Sequence, residues 1–424
     1  LPVSVKTSPT SKQKDVATDE LVVTETTCCI VGGGPGGAVL ALLLARQGIS
    51  VMLLEAHDDF DRDFRGDTIH PSVLEIMDSL GLADRLLTLR HTKIHQFGFN
   101  TKDGPITIGD FRRLKTRYPF IMMVPQSDFL EFITEEAKRY ENFQLLMGAS
   151  AQELIIEDDV VRGLRYRSDD GQHEVRATLT VGADGRSSRV QRLAGLEAVK
   201  TAPPMDIIWF RLPREPSDPE GAFGRVGTGH ILVRLDRLDE WQIGYVIPKG
   251  GWQRVREAGL EALREAVAGV LPEFPERVEH LQDWDQVAVL SVESSRCPRW
   301  YRPGLLLIGD AAHVMSPVGG VGINYAIQDA VAAANVLSRP LKSGQLETSH
   351  LARVQKEREW PTKFIQSVQA TIQRRIIADA LDTSKPFKFP LLLRLILLIP
   401  ILRNLPARIV AYGIRPTRID ETIK

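Results

Sequence analysis

The order of apolar and polar positions divides the chain into segments of different period. From Thr27 a short apolar run rich in β-branched residues meets GGGPGG, passes through fourteen residues of helical composition and ends in ISVMLLE, which reads as strand, turn, helix and strand over 28–55. TLTVGADGRSSRVQRLAG (178–195) begins as an alternating strand and runs into Asp184-Gly185 and a helix start with Ser187 and Ser188. LLLI (305–308) is a further strand, closed by Gly309-Asp310, after which Pro317, Gly319, Gly320 and Gly322 lead into a helix carrying Asn324 and Asp329.

Between the last two motifs the pattern changes. IIWFRLP (207–213), HILVRL (230–235), WQIGYVIPKG (241–250) and DQVAVLSVE (285–293) have strand composition and are separated by Gly and Pro, so they form a sheet of their own. By the period of two, Trp241, Ile243, Tyr245 and Ile247 share one face and Gln242, Gly244 and Val246 the other. A helical segment at 251–270 closes this unit, and a charged, amphipathic helical region starts at 346. The chain thus reads as a flexible tail (1–23), a first domain in two parts (24–200 and 296–345), an inserted sheet domain (201–295) and a C-terminal helical region (346–424).

Composition narrows the function classes. At 43% apolar, 25% charged and a formal charge of −1, the chain has ordinary globular composition without the basic field that nucleic acid requires, so a small-molecule partner is expected. Cys28, Cys29 and Cys297 have no metal-ligand spacing to another Cys or His and read as buried thiols of a cytoplasmic protein. No HExxH cluster or GxSxG elbow is present, and no metal site is expected. The tail lacks the apolar core of a signal peptide. The apolar run within 389–415 is broken by Arg394 and Pro400 and is shorter than the ~20 residues of a spanning helix. It reads as a helix docked on its own protein, with contact to a lipid surface as the alternative.

The first glycine run carries specific chemistry. Gly32-x-Gly34-x-x-Gly37 sits between strand and helix, with Glu55 18 residues beyond Gly37 at the tip of the second strand. Glycine allows the tight turn, the close approach of a pyrophosphate and close helix packing, and the helix start offers N–H groups to phosphate. A carboxylate at the strand tip accepts hydrogen bonds from ribose hydroxyls. This is a dinucleotide site, and it leaves the second glycine-rich turn, at 309–322, to be explained.

With these three motifs in order, the chain resembles the para-hydroxybenzoate hydroxylase family of FAD-dependent monooxygenases over about residues 24–340, and RGDTIHPSVLEIMDSLGL (65–82) looks like a segment of one branch of it. The resemblance implies an α/β fold: a Rossmann-like FAD-binding domain of the GR2 type, an inserted β-sheet substrate domain and C-terminal helices. It also implies that both glycine turns serve one long ligand. Gly32, Gly34, Gly37 and Glu55 hold the adenosine diphosphate half; Asp310 holds the ribityl chain; Pro317, Gly319, Gly320, Val321 and Gly322, with Asn324 at the helix start, pass beside the flavin ring.

Asp184 belongs to the family's DGxxSxxR pattern, whose arginine is replaced by Gln191 here, flanked by Arg189 and Arg192. Gln126 stands where many members carry an arginine facing the pyrophosphate, and Arg65 is the candidate for the missing charge. His313 is given no proton-transfer role. Trp209, Phe210, Arg211 and Tyr245 are candidates to line the substrate site.

The activity implied is hydroxylation of an aromatic or polyprenyl-like molecule with NAD(P)H and O2, through a flavin C4a-hydroperoxide. With one GxGxxG unit in the chain, NAD(P)H is a transient co-substrate. The alternatives are a reductase of the geranylgeranyl type, whose motif is partly echoed in GYVIPKG (244–250), and a redox-sensing flavoprotein without a small substrate.

Overall fold

The computed structural model describes residues 22–423 except 62–66, 219–220, 274, 385, 391–396, 398 and 400–401. Arg65, the 1–21 segment and part of the 389–415 run therefore lie outside the described residues. The elements that carry the site, numbered in chain order, are β1 (Val22–Val31), α1 (Pro35–Arg46), β2 (Val51–Leu54), α2 (Gln126–Ala137), β3 (Gly171–Gly182), β4 (Met205–Pro213), β5 (Glu240–Pro248), β6 (Leu305–Leu307), α3 (Gly322–Lys342) and α4 (Thr348–Ile372).

The first glycine run folds as its residue types require. Pro35 opens α1, where its missing N–H and fixed φ cost nothing, and Gly48 at φ +74° ends it. Residues Gly36–Ala45 of α1 are all buried, which suits a helix enclosed between a sheet and other helices. A Cβ on Gly37 would lie 2.0 Å from the carbonyl oxygen of Gly32, so no larger residue lets the helix approach the turn this closely.

The main sheet has eight strands. Its path runs Tyr301–Arg302, β6, β3, β1, β2, Phe143–Leu146, with a two-strand antiparallel extension (Ser150–Glu157, Val160–Ser168) off β3. β2 pairs with β1 on one side and β3 with β1 on the other, both parallel, and β6 continues parallel beside β3. The chain order reverses at β1, and the crevice at the carboxyl ends of such strands is where open α/β sheets bind ligands.

The second sheet has seven strands in the order Ala288–Leu290, β4, β5, His230–Asp236, Phe223–Gly227, Gln96–Thr101, Gly104–Asp110. Its last hairpin comes from the 24–200 segment, which the sequence pattern placed wholly in the first domain; Phe99 and Asn100 pair parallel with Gly224 and Arg225. One face, with Ile208, Phe210, Trp241 and Ile243, packs on the helix Leu260–Val270. The other, with Ile207, Trp209, Val226 and Val246, packs on Val318 and on Ile372, Ile376 and Ala380 from the C-terminal helices.

Helix α3 lies along α1, and α4 packs on α3 through a buried ionic node. Asp329 of α3 accepts from His313 Nε2 (2.6 Å), Arg358 Nε of α4 (2.8 Å) and the Gly309 N–H (3.0 Å), with all three side chains almost fully buried. Among the described residues His313 Nδ1 has no partner, and the ring lies 4.8 Å from that of Trp300. Burial raises and His313 and Arg358 lower the Asp329 pKa, and the net direction is down.

Removing one member of a buried charge set costs about 3–5 kcal/mol, because the remaining charge is left without its partner. Arg358→Met is expected to lower unfolding free energy by about that amount in urea titration. A loss below about 1 kcal/mol, the range of an exposed pair, would show that the node contributes little.

Candidate active site

At the β1–α1 turn the three fingerprint glycines do different work. Gly32 adopts φ +104°, and a Cβ there would lie 2.5 Å from the Ala183 carbonyl oxygen, so this glycine lets the first motif touch the second. Gly34 is extended, and a Cβ on it would have nothing within 4 Å. The space above Gly34 opens onto the start of α1, which has no side-chain cap. Unpartnered helix N–H groups facing an open cradle are what a pyrophosphate needs, so the residues present fit FAD. Glu55 is 9% exposed at the tip of β2; its carboxylate accepts from Gly33 N–H (2.8 Å) and His57 N–H (3.1 Å), with His57 Nδ1 at 2.6 Å.

The Ala183 N–H donates to Val31 O (2.8 Å) and Ile308 N–H to Gly182 O (2.9 Å), so the three motif turns stand side by side at the ends of β1, β3 and β6. Asp184 turns its carboxylate onto the short helix Arg189–Leu193: it accepts from the Ser188 hydroxyl, Arg189 N–H (2.7 Å) and Val190 N–H (3.0 Å). Gln191 points inward, its amide 3.1 Å from Cys297 Sγ. Arg189 and Arg192 bond to Ser150 and to the Ser187 carbonyl.

Gln126 opens α2, and its N–H donates to Asp67 Oδ1 (3.1 Å). Asp67 also faces Arg237 Nη2 of the second sheet at 2.8 Å; burial pushes its pKa up to about 6 against the pull of that guanidinium.

The third turn holds Asp310 in a single 3-10 turn, Gly309–Ala311, whose first N–H is fixed by Asp329. The loop that follows is tied down on two sides. On one, Gly320 O accepts from Thr68 Oγ1 (2.9 Å), and Asn324 bridges: its Oδ1 accepts from His70 N–H (2.8 Å) and its Nδ2 donates to Thr68 O (3.1 Å). His70 is fully buried with Nδ1 at 2.7 Å from Val410 O, and burial lowers its pKa to about 4.

On the other side α4 presents a row of glutamines that the sequence reading passed over as one polar face of an amphipathic helix. Gln366 Nε2 donates to Ser295 O (2.9 Å) and Val314 O (3.0 Å), and Gln369 Nε2 to Ser316 O and Val318 O (both 2.8 Å). Gln373 Nε2 donates to Ser316 Oγ (2.5 Å). The i, i+3, i+7 spacing was the available signal. Gly319 and Gly320 follow at φ +83° and +62°, a left-handed pair open to glycine at low cost.

Phe210 and Tyr245 belong to the face covered by the Leu260–Val270 helix, away from Val318, because alternate residues of a strand point to opposite sides. Of the four lining candidates, Trp209 and Arg211 stand on the face toward the loop, Trp209 within the cluster that includes Val318. The Trp209 ring covers Gly244 of β5, where a Cβ would come within 2.7 Å of it.

A family model described as an FAD binding domain matches residues 25–366. A 6-methylpretetramide 4-monooxygenase of Streptomyces rimosus is 34% identical over 385 residues, 90% of this chain and 90% of that protein. The chain belongs to the FAD-dependent monooxygenases of the para-hydroxybenzoate hydroxylase family. A para-nitrophenol 4-monooxygenase of Pseudomonas sp. (strain WBC-3) is 25% identical over 72% of this chain and 75% of its own. The solved structure of p-nitrophenol 4-monooxygenase from Pseudomonas putida DLL-E4 superposes with a TM-score of 0.72 at 21% identity, covering 93% of this chain and 100% of that one. The cofactor of this monooxygenase is FAD.

Gly34→Val tests the cradle directly. The extended backbone at Gly34 suits a β-branched residue and no protein atom is in the way, so the apoprotein is expected to melt within a few degrees of the parent. The side chain would fill the phosphate space, and the purified protein is expected to be colourless. A yellow, FAD-loaded variant would remove Gly34 from the site.

Proposed function

We propose that the protein hydroxylates an aromatic small molecule laid against the inner face of the second sheet, next to the Pro317–Gly322 loop, with NAD(P)H and O2 as co-substrates. The observation that carries the placement is the shared cluster of Val318, from the flavin loop, with Trp209, Ile207 and Val246, from the sheet. Bound FAD would supply the redox chemistry, acceptance of a hydride from NAD(P)H and activation of O2 for transfer of one oxygen atom to the ring.

The chain's own residues supply position and environment. Gly34 and the start of α1 seat the pyrophosphate, Glu55 the ribose and Asp310 the ribityl hydroxyls. The amides of the Gly319–Gly322 turn and the N-terminus of α3 place donors and a positive dipole end beside the flavin edge that becomes negative on reduction. Trp209, lying over Gly244, offers a flat apolar wall to an aromatic ring and keeps water from the reacting atoms. Arg211, on the same face, lies within electrostatic reach of Asp67 and 3.5 Å from Glu240 Oε2. The 34%-identical relative is a monooxygenase, which favours this reading over the reductase and the redox-sensing alternatives.

NAD(P)H oxidation under labelled dioxygen, with 4-nitrophenol and a fused-ring phenol as probes, tests the assignment. An aromatic product carrying one labelled oxygen atom for each NAD(P)H consumed is expected, with kcat/KM about tenfold lower in Trp209→Ala, for the loss of ~0.5–1.5 kcal/mol of aromatic pairing and some apolar contact. A hydrogenated product, or NAD(P)H consumption that yields only hydrogen peroxide with every aromatic offered, would contradict it.

A further inference from the structure

The Gln369–Gln373 pair holds the start of the flavin loop at Ser316 and Val318. Gln369 is 2% and Gln373 3% exposed. Gln369 spends its amide N–H groups on Ser316 O and Val318 O, and Gln373 holds the Ser316 hydroxyl, which also accepts from Val318 N–H at 3.3 Å. Both peptide units that meet at Val318 are therefore tied, directly or through Ser316, to one helix.

A trans peptide is planar, with its C=O and N–H pointing in opposite directions. With Val318 O turned toward α4, the N–H of Gly319 is turned away from it. With Gly320 O turned toward Thr68 and Asn324, the N–H of Val321 is turned away from them in the same manner. The Val318 and Gly320 carbonyls face protein donors on opposite sides of the loop, and the Gly319 N–H lies on the side away from α4.

Two further features separate this pair from ordinary helix packing. Among the described residues Gln369 Oε1 is buried with no donor, an unmet acceptor that costs about 1–3 kcal/mol and that packing alone would replace with an apolar residue. The segment Gln373–Ile377 is a π-turn, a local widening found often at functional sites, and it directs Ile376 and Ile377 to the inner face of the second sheet. Both glutamines lie beyond residue 366, where the match to the family model ends.

We propose that Gln369, seconded by Gln373, is a positioning residue for the flavin: by holding the Val318 peptide units it aims the Gly319 N–H at the cofactor side of the loop and so stabilises the reduced, negatively charged flavin. The pair acts on the electron affinity of bound FAD and hardly at all on its binding, which the Gly34, Glu55 and Asp310 anchors determine.

The test is the midpoint potential of bound FAD, measured against a reference dye during slow enzymatic reduction in the absence of oxygen. In Gln369→Met, which keeps length and burial but loses both donors, FAD affinity is expected to stay within about threefold of the parent. The ratio of reduced to oxidised flavin at a fixed solution potential should fall at least tenfold, which for a two-electron couple is a shift of about 30 mV to more negative values. Gln366→Met removes contacts to Ser295 and Val314, ahead of the loop, and should leave the potential in place. An unchanged potential in Gln369→Met, or an equal shift in Gln366→Met, would overturn the proposal, the latter by showing that any loosening of α4 has the same effect. Recovery of Gln369→Met without FAD would also contradict the proposal, since the pair would then hold the cofactor; in Gln373→Met a smaller shift in the same direction is expected, and no shift there would overturn the proposal equally.

Discussion

The parallel pairing of β3 with β1 and of β6 with β3 is the constraint on which the site depends. Chain positions 32, 184 and 310 become neighbours because Val31 pairs with Gly182 and Gly182 with Leu307, so that all three strands end at one level. Each turn begins where its strand stops. The contact of Gly32 with Ala183 works only in that register, and a slip of one residue would carry every side chain of a strand to the opposite face. The register is protected by burial, since the last four residues of β1 and of β3 are all enclosed.

A sheet that presents three turns still leaves the third one long and rich in glycine. Its order comes from elements added around it. Asp329 pins Gly309 from α3, Thr68 and Asn324 fix Gly320 from one side, and the glutamines of α4 hold Ser316 and Val318 from the other. These supports are polar because the loop exposes backbone carbonyls, which an apolar neighbour would leave unsatisfied. The second sheet then closes over Val318 with an apolar face, so that a water-poor surface meets the polar cradle at the loop. Asp67 and Arg237 join the two halves across the same junction.

Much of this was legible in the sequence because motif residues answer to local geometry. The close helix packing at Gly37, the position of Glu55 at the tip of β2 and the two faces of β5 follow from spacing and period alone. Period two assigns residues to faces without saying which face is covered by helix and which by the flavin loop, and that is why Phe210 and Tyr245 were grouped with Trp209. Asp184 and Asn324, expected beside the cofactor, also hydrogen-bond within the chain, Asp184 to a helix start and Asn324 to the Thr68–His70 segment, contacts that spacing alone does not announce. The Gln96–Asp110 hairpin and the glutamines of α4 act through partners more than a hundred and about fifty residues away respectively, a distance over which no periodicity carries information.

The central claim is that one FAD spans two separately built anchors, its adenosine end at Gly34 and Glu55 and its flavin end at Asp310 and the loop. Binding of ADP alone to the apoprotein, followed by calorimetry in the parent and in Glu55→Ala and Asp310→Ala, separates the two ends. ADP should bind Asp310→Ala as it binds the parent, while FAD binds that variant more weakly; Glu55→Ala should weaken both ligands. An ADP affinity that falls as far in Asp310→Ala as in Glu55→Ala would contradict the account, since it would place Asp310 at the adenosine end.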